Sequence, residues 1–340
     1  MTSRMATTAT MEALHTIFGS EPFTAGEAEG VGIARWKLSQ AVKAGKVLGL
    51  GYGFYAVGSS GPRRVLRRMQ RDLRDRAVVA PVAVRSAADV LTVPVLGRDG
   101  PLQSPPPTFG IPPRTMRPGL RHGVRYVEMD IPPEHVMTLD DGLLITTPLR
   151  TAIDVVRLDR LPRHLALATL CGGLRIEAAR VSGVRSSAAR NITQMMQDPA
   201  TRHALVDALG ETAREVPRWG MVSVERCLAF VDPRLETALE STSWGRFVDA
   251  NIPLPTPQVW LQGASGRWYC VDFWWEEFGI IGEADGMLKY RTAQDLAEEK
   301  ARQLDLEAPG RSMFRWGWEH AFRTGDPLLM SLFARLRSAA

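Results

Sequence analysis

The sequence predicts an α+β protein built from several domains, and two observations support this class. The chain has 340 residues, which exceeds the size that one hydrophobic core usually fills, so we expect roughly two to four domains. Helical spacing of apolar residues also recurs over residues 10–44 and 160–231, and strand signals recur between residues 77 and 147 and after residue 258. We therefore expect an N-terminal helical domain with a hairpin, a mixed middle region and a C-terminal α/β core.

The composition is that of a soluble globular protein, with 45% hydrophobic and 23% charged residues and a net charge of +5. No apolar run approaches the roughly 20 residues that span a bilayer, and the N-terminus lacks the apolar segment of a signal peptide. We expect a cytoplasmic protein without membrane association. Cys171, Cys227 and Cys270 lie far apart, which fits a reducing compartment and argues against a zinc site.

Residues 1–58 have the pattern of a winged helix-turn-helix. Thr24 is a predicted N-cap with Glu27 three residues later, which is the capping-box pattern. A third helix is expected from about residue 33 to 44, and a hairpin follows around Gly51-Tyr52. In a winged helix the third helix enters the major groove. Side chains of this helix that suit contacts to bases or phosphates are Arg35, Lys37, Gln40 and Lys43. The alternative is a small helical domain that binds a protein partner.

A basic amphipathic helix is predicted directly after this domain. Val65, Leu66, Met69 and Leu73 fall on one helical face, and the arginines fall on the other. Such a helix can lie along a phosphate backbone, with contacts from Arg63, Arg64, Arg67 and Arg71. A solvated linker helix fits the charge pattern equally well.

The middle of the chain is expected to be structural. Residues 59–158 form a mixed α/β domain that contains the Pro-rich segment 101–118, which we expect to be an exposed loop without regular structure. Arg150 and Asp154, one helical turn apart, are predicted to pair. Residues 159–231 have helical periodicity and are predicted to form a helical connector.

Residues 232–340 carry the acidic residues of interest. A predicted helix with Glu240 is followed by a strand that carries Asp272, a second strand that carries Glu283, a helix over about 292–306 and a last strand around 313–316. Helix, β-meander, helix and strand is the element order of the PD-(D/E)XK nuclease core, a restriction-endonuclease-like α/β fold. If the two strands pair, their carboxylates can share a Mg²⁺ ion, which prefers oxygen ligands and activates water for phosphodiester cleavage.

A catalytic role is thus predicted for Asp272, Glu283 and Lys289, with Asp272 and Glu283 as the metal ligands. Lys289 is the nearby cation expected to neutralise developing charge. The standard motif places a lysine two residues after the second acid, where this chain has Asp285, so Lys289 or Lys300 would have to supply the positive charge from another position. The alternative is structural, with Asp272 capping a strand end and with Glu283 and Asp285 forming salt bridges with Lys289 and Arg302.

Several stretches resemble AbiEi-type antitoxins of abortive-infection toxin–antitoxin systems. Among them are the run Ser86-Ala-Ala and the run from Thr147-Pro148 to Asp154. The run beginning at Phe23-Thr-Ala-Gly-Glu-Ala and ending at Gly53-Phe-Tyr resembles their N-terminal winged helix, which implies promoter binding and autoregulation. The pairs Glu240-Ser and Asp272-Phe, the run Glu283-x-Asp-Gly and the pair Lys289-Tyr resemble a C-terminal domain related to very-short-patch-repair endonucleases. The resemblance implies that Glu240 is the acidic catalytic residue of the first core helix, and in it Lys289 stands where many relatives have histidine.

Two functions follow as expectations. The first is a DNA-binding protein with a Mg²⁺-dependent endonuclease domain, serving toxin–antitoxin, phage-defence or mobile-element biology. The second is a non-catalytic antitoxin and transcriptional autorepressor with a degenerate nuclease fold. Both imply double-stranded DNA as a partner, and both allow a cognate toxin protein. The sequence leaves the oligomeric state open.

Overall fold

The computed structural model describes residues 12–57, 61–97, 100–101, 106–184, 186, 190–285, 293–322 and 327–339. The chain divides into two compact units, one of residues 1–90 and 104–146 and one of residues 91–103 and 147–340. It is a mixed α/β protein with several small sheets, which agrees with the predicted α+β class. The finer division at residues 58, 158 and 231 stays a prediction.

Helices and short strands alternate along most of the chain. The first part contains α1 (12–18), β1 (Phe23–Thr24), α2 (Ala25–Gly30), α3 (Arg35–Lys43), β2 (Val47–Gly51), β3 (Phe54–Val57), α4 (Pro62–Arg74), α5 (Val84–Leu91), β4 (Leu96–Gly97) and β5 (Gly100–Pro101). The middle part contains β6 (Thr108–Ile111), β7 (Gly119–Arg121), β8 (Val124–Glu128), β9 (Val136–Thr138), β10 (Leu144–Thr146), α6 (Pro148–Asp159), α7 (Arg163–Val181), α8 (Arg190–Met195), α9 (Pro199–Glu215) and α10 (Val222–Leu228). The last part contains α11 (Ala238–Asp249), β11 (Thr256–Gln262), β12 (Trp268–Trp275), β13 (Ile280–Ala284), α12 (Ala293–Glu307), β14 (Ser312–Trp316), α13 (Trp318–Phe322) and α14 (Pro327–Ala339).

The N-terminal elements of the first unit form a small helical layer with a three-stranded sheet of order β1-β3-β2. The predicted capping box is confirmed, because Thr24 Oγ1 accepts from the Glu27 amide and Glu27 accepts from the Thr24 amide. The tight turn between β2 and β3 contains Tyr52 and Gly53, both with positive φ. Helices α1 to α3 and the sheet share one apolar core, formed by Leu14, Phe23, Ala28, Ile33, Leu38, Ala41 and Val47.

Helix α4 confirms the predicted amphipathic pattern, since Val65, Leu66, Met69 and Leu73 are buried. Gln70 is buried on the same helix, donates to the carbonyls of Ala80 and Leu144 and accepts from the Leu144 amide. This side chain therefore fixes α4 to the strands of the same unit.

The prediction that residues 101–118 lack regular structure was wrong for Thr108–Ile111. This four-residue segment is β6 and pairs in parallel with β8 in a sheet of order β6-β8-β7. The segment lies between the prolines and contains none, so each of its amides can join the ladder. All four residues are buried.

The second unit packs its helices closely and contains a buried charge network. Gly245 of α11 faces His164 of α7 so closely that a Cβ built on it would lie 2.4 Å from the His164 Cα. On α6, the predicted pair is confirmed, because Arg150 Nε donates to Asp154 at 2.7 Å. Arg157 Nε also donates to Asp154 at 2.7 Å. Arg150 and Asp154 are fully buried.

The C-terminal sheet has the strand order β11-β12-β13-β14. The first three strands run antiparallel, and β14 runs parallel to β13 after the crossover through α12. Helix α11 packs the ring of Phe247 edge-on against Phe273, Trp275 and Trp316. The helix, meander, helix and strand order predicted from the sequence is therefore present. No described helix combines the length and apolar character needed to span a bilayer.

We predict that Asp154→Asn destabilises the second unit by about 3–5 kcal/mol, because it leaves the buried Arg150 and Arg157 without their anionic partner. Urea denaturation followed by circular dichroism measures this loss. Gln294→Ala, which removes an exposed hydrogen bond on α12, is the control and should stay within about 0.5 kcal/mol of wild type. Equal free energies of unfolding for the two variants would contradict the stabilising role of the Arg150–Asp154–Arg157 network.

Candidate functional site

The two predicted metal ligands lie side by side on neighbouring strands. Strands β12 and β13 are paired through Phe273 and Gly282, and Asp272 and Glu283 occupy the next positions along each strand. The Ala284 amide donates to Asp272 Oδ2 at 2.8 Å, which fixes one carboxylate oxygen. Glu283 is 5% exposed and Asp272 is partly buried. The pairing on which the predicted site depends is therefore present.

Glu240 reaches the same region from the first turn of α11. It completes a second capping box, since Thr237 Oγ1 accepts from the Glu240 amide at 3.1 Å. The carboxylate accepts from the amides of Glu236 at 2.9 Å and Thr237 at 3.1 Å. Glu240 is 2% exposed. It has a structural role as a cap, and its Oε2 also accepts a hydrogen bond from β11.

Gln258 connects this cap to the sheet. Its Nε2 donates to Glu240 Oε2 at 3.0 Å and to Asp272 Oδ1 at 3.4 Å, and its Oε1 accepts from the Cys270 thiol at 3.3 Å. The backbone φ of Gln258 is 54°, a conformation that costs a non-glycine residue energy and is held only where the surroundings enforce it. Gln258 was not among the predicted site residues. The sequence feature that could have indicated it is the Pro-rich segment directly before it, at the start of β11.

Arg302 of α12 provides the cation nearest to the acids among the residues that the structure describes. Its Nη2 donates to Glu283 Oε1 at 2.8 Å and to the Cys270 carbonyl at 3.0 Å, and its Nη1 donates to Glu299 at 3.1 Å. The salt bridge between Glu283 and Arg302 that the structural alternative predicted is therefore present, while no catalytic role was predicted for this arginine. The helical spacing of Glu299 and Arg302 placed both on one face of α12, but only the fold brings that face to Glu283.

Asp285 is held in an ion pair. Arg315 Nη1 donates to Asp285 Oδ2 at 2.8 Å, and Arg315 also contacts Glu299. In the parallel pairing of β13 with β14, Arg315 lies opposite Glu283. Lys289, the predicted catalytic cation, lies outside the described residues. Within the described part of the site, arginines from α12 and β14 provide the positive charge.

Burial shifts the acids toward their protonated forms. Burial raises the pKa of Glu283 to about 7, and the charge of Asp272 adds to the rise while Arg302 opposes it. The pKa of Asp272 is raised by burial and then by the charge of Glu240. Burial likewise raises the pKa of Glu240, against the hydrogen bonds that it accepts. The acids are thus close enough to destabilise each other's charge, and a bound cation would relieve this cost.

The oxygen ligands fit Mg²⁺ in type. Among the described residues no group of three or more His, Cys, Asp or Glu side chains is arranged to hold a metal ion. Mg²⁺ commonly binds through one or two carboxylates and fills its remaining positions with water and substrate phosphate. Asp272 and Glu283 meet that requirement, with Arg302 as a competitor for Glu283.

The predicted DNA-binding side chains of α3 are on an accessible helix. Arg35, Gln40 and Lys43 are exposed, and α3 contains no acidic residue. Arg35 pairs with Glu29 at 3.0 Å, with 73% of its own side chain exposed. Lys37 lies over the ring of Trp36, which is 59% exposed. Trp36 was not predicted, although an exposed tryptophan between two cations is a usable signal.

The predicted arginines of α4 differ in their surroundings. Arg63 pairs with Asp141 at 3.3 Å, and Arg67 donates to the Asp141 carbonyl at 2.9 Å. Arg64 donates to the Ser20 carbonyl at 3.2 Å. Arg71 is exposed. Three of these four side chains therefore also hold α4 to the rest of its unit.

Comparison with known proteins gives two similar chains from one species. Uncharacterized protein MT2308 of Mycobacterium tuberculosis (strain CDC 1551 / Oshkosh) is 28% identical over 169 residues, which cover 50% of this chain and 53% of that protein. Uncharacterized protein Rv2248 of Mycobacterium tuberculosis (strain ATCC 25618 / H37Rv) gives the same values. The chain therefore spans about half the length of the curated relatives it matches. No family model matches the chain.

The raised carboxyl pKa values predict a pH dependence of stability. The folded pKa of Glu283 lies above its unfolded value of 4.5, at about 7. Between these values the folded protein holds a proton that the unfolded chain has lost, so stability of the metal-free protein falls as pH rises through this window.

Thermal unfolding at about pH 5 and about pH 7.5 checks this, and we expect a melting temperature lower by several degrees at the higher pH, since 1 kcal/mol corresponds to roughly 2–4 °C for a unit of this size. Glu283→Gln should flatten the dependence, and Mg²⁺ should raise the melting temperature of wild type at the higher pH. A pH dependence that is unchanged in Glu283→Gln would contradict the assignment.

Proposed function

We propose that this protein is a DNA-binding protein of the AbiEi-like type whose C-terminal sheet carries a Mg²⁺-dependent endonuclease site of the PD-(D/E)XK kind. It would act in toxin–antitoxin, phage-defence or mobile-element biology. The observation that carries the proposal is the pair of carboxylates at adjacent positions of neighbouring strands, buried Glu283 and partly buried Asp272. The element order around the pair supports it as well.

In this proposal Asp272 and Glu283 hold the Mg²⁺, which when bound supplies charge stabilisation on the phosphate and an ionised water. The Ala284 amide and Gln258 orient Asp272. Glu240 keeps the Gln258 amide directed at that carboxylate. Arg302 supplies the positive charge that the standard motif takes from a lysine, since it already contacts Glu283 and keeps 22% of its side chain exposed.

The N-terminal elements support DNA as the substrate. Helix α3 presents Arg35, Lys37, Gln40 and Lys43 without an opposing acid on the same helix. It is followed by the short hairpin of β2 and β3, as in a winged helix. Double-stranded DNA is accordingly the proposed partner, and a cognate toxin protein is a further partner if the chain acts as an antitoxin.

The second candidate is a transcriptional autorepressor without catalysis. Two ion pairs favour it. Arg302 occupies one oxygen of Glu283, and Arg315 pairs with Asp285 at the position where the motif requires a lysine. A site whose acids are neutralised within the protein can serve as a scaffold, and the DNA-binding helix would then carry the function.

Cleavage assays on supercoiled plasmid separate the two candidates. With Mg²⁺, wild type should nick the plasmid, and Asp272→Asn and Glu283→Gln should each lower the rate by at least about 100-fold, since even outer partners of metal ligands commonly cost 10–100-fold. Chelation of the metal should abolish the reaction. Glu277→Gln, which changes an exposed carboxylate just after β12, should cleave like wild type. Equal rates in wild type and Asp272→Asn would rule out the endonuclease.

DNA binding is tested by gel shift on the DNA upstream of the protein's own gene. Gln40→Ala should weaken binding to that DNA by about 1–3 kcal/mol while leaving random duplex unaffected, as expected of a base contact. Lys43→Gln should weaken both alike and lower the dependence on salt by roughly one ion, as expected of a phosphate contact. Absence of any shift by wild type at low salt would count against both candidates.

A further inference from the structure

Two hairpin turns of the first unit meet at their tips. Tyr52 lies in the turn between β2 and β3, and Gly123 lies in the turn between β7 and β8. A Cβ built on Gly123 would lie 2.6 Å from Cδ1 and 2.9 Å from Cε1 of the Tyr52 ring. Gly123 also has a φ of 80°, so both its backbone and its surroundings favour glycine. The β7–β8 hairpin is therefore held next to the wing.

This hairpin and the loop before it are strongly basic. Residues 112–127 contain four arginines and one histidine and no Asp or Glu. The first acid after them is Glu128, the last residue of β8, whose Oε2 accepts from the Arg114 amide at 3.4 Å. All three residues of β7 are exposed. The arginines are all exposed and define what we call the hairpin surface: Arg114, Arg117, Arg121 and Arg125.

The hairpin surface continues toward the end of α4. Burial raises the pKa of Tyr126, and the positive charges of Arg76 and Arg121 oppose that rise. Arg76 follows the end of α4 by two residues, and Arg121 belongs to β7. Asp72 acts on the same ring in the opposite direction, but it is paired with Arg68 at 3.0 Å. The exposed arginines of the hairpin surface thus lie in the hairpin that approaches the wing through Gly123 and Tyr52.

Protection of the edge strand β7 from pairing with other chains explains only some of the exposed arginines in residues 112–127. Charged side chains on an exposed edge such as β7 discourage pairing with other chains. Arg114 and Arg117 precede the strand, however, and a surface selected for solubility alone mixes both signs of charge. Helix α9 has such a mixture, where Arg214 stands between Glu211 and Glu215. The absence of acids from residues 112–127 favours an anionic partner.

We propose that the hairpin surface is a second DNA-contacting surface, which binds backbone phosphates of the duplex flanking the segment engaged by α3. The proposal rests on the proposed DNA-binding role of α3 and extends the contacted duplex beyond it. Arginine is suited to phosphate, and such contacts position a protein on DNA without reading its sequence. The contact between Tyr52 and Gly123 keeps the two surfaces at a fixed spacing.

The test compares three variants of the full chain by fluorescence anisotropy on a long and a short duplex over a range of salt concentrations. The hairpin variant carries Arg117→Gln, Arg121→Gln and Arg125→Gln. The helix variant carries Gln40→Ala and Lys43→Gln. The control carries Arg214→Gln, Arg218→Gln and Arg226→Gln, which removes the same charge from exposed arginines of the second unit. Circular dichroism and thermal unfolding verify that each variant is folded.

The hairpin variant should bind the long duplex roughly tenfold or more weakly than wild type, and its salt dependence should fall by roughly two to three ions, at about 0.9 per phosphate contact. On a duplex too short to reach the hairpin, it should match wild type and the control.

If the hairpin variant binds DNA with the affinity and salt dependence of wild type while the helix variant binds more weakly, the second surface alone is overturned. A weakened hairpin variant beside an unaffected helix variant would support DNA contact by the hairpin and overturn the proposed role of α3. If the control loses as much DNA affinity as the hairpin variant, the loss is explained by the change in net charge, and the proposal is overturned. No binding by wild type would overturn both.

Discussion

The C-terminal sheet depends on the close approach of carboxylates that have little contact with water. Asp272 and Glu283 sit at adjacent positions of β12 and β13, and Glu240 approaches from α11. Burying several like charges together is unfavourable, so the acids either hold protons or require a cation. Arg302 and Arg315 meet part of that requirement. The negative charge that these arginines leave uncompensated makes this region a candidate metal site.

Local structure around the acids is arranged to hold this unfavourable geometry. The capping box of Thr237 and Glu240 begins α11 and fixes the Glu240 carboxylate at the same time. Gln258 adopts a left-handed backbone conformation and connects Glu240 to Asp272. Strained backbone and buried acids both cost stability, and proteins commonly retain such features where they have a function. The occurrence of a strained Gln258 backbone next to buried acids supports the proposed site more than any single residue does.

Much of the element order was predictable from local patterns. The capping box at Thr24, the amphipathic helix α4, the Arg150–Asp154 pair and the strands that carry Asp272 and Glu283 all follow from spacing along the chain. Contacts between distant segments were predictable only in part. The salt bridge between Arg302 and Glu283 was one alternative from the sequence, but the pairing of Arg315 with Asp285 and the pairing of β6 with β8 were not foreseen. Such contacts depend on tertiary packing, which single-sequence periodicity does not encode.

Binding of a divalent cation by Asp272 and Glu283 is the central claim. Calorimetric titration of Mg²⁺ near pH 7, repeated in buffers of different ionisation enthalpy, tests it directly because it also counts released protons. Metal binding to carboxyls with raised pKa values displaces protons, so wild type should bind Mg²⁺ and release protons. Asp272→Asn should bind far more weakly and release fewer. Absence of Mg²⁺ binding by wild type, or identical binding and proton release in Asp272→Asn, would contradict the claim.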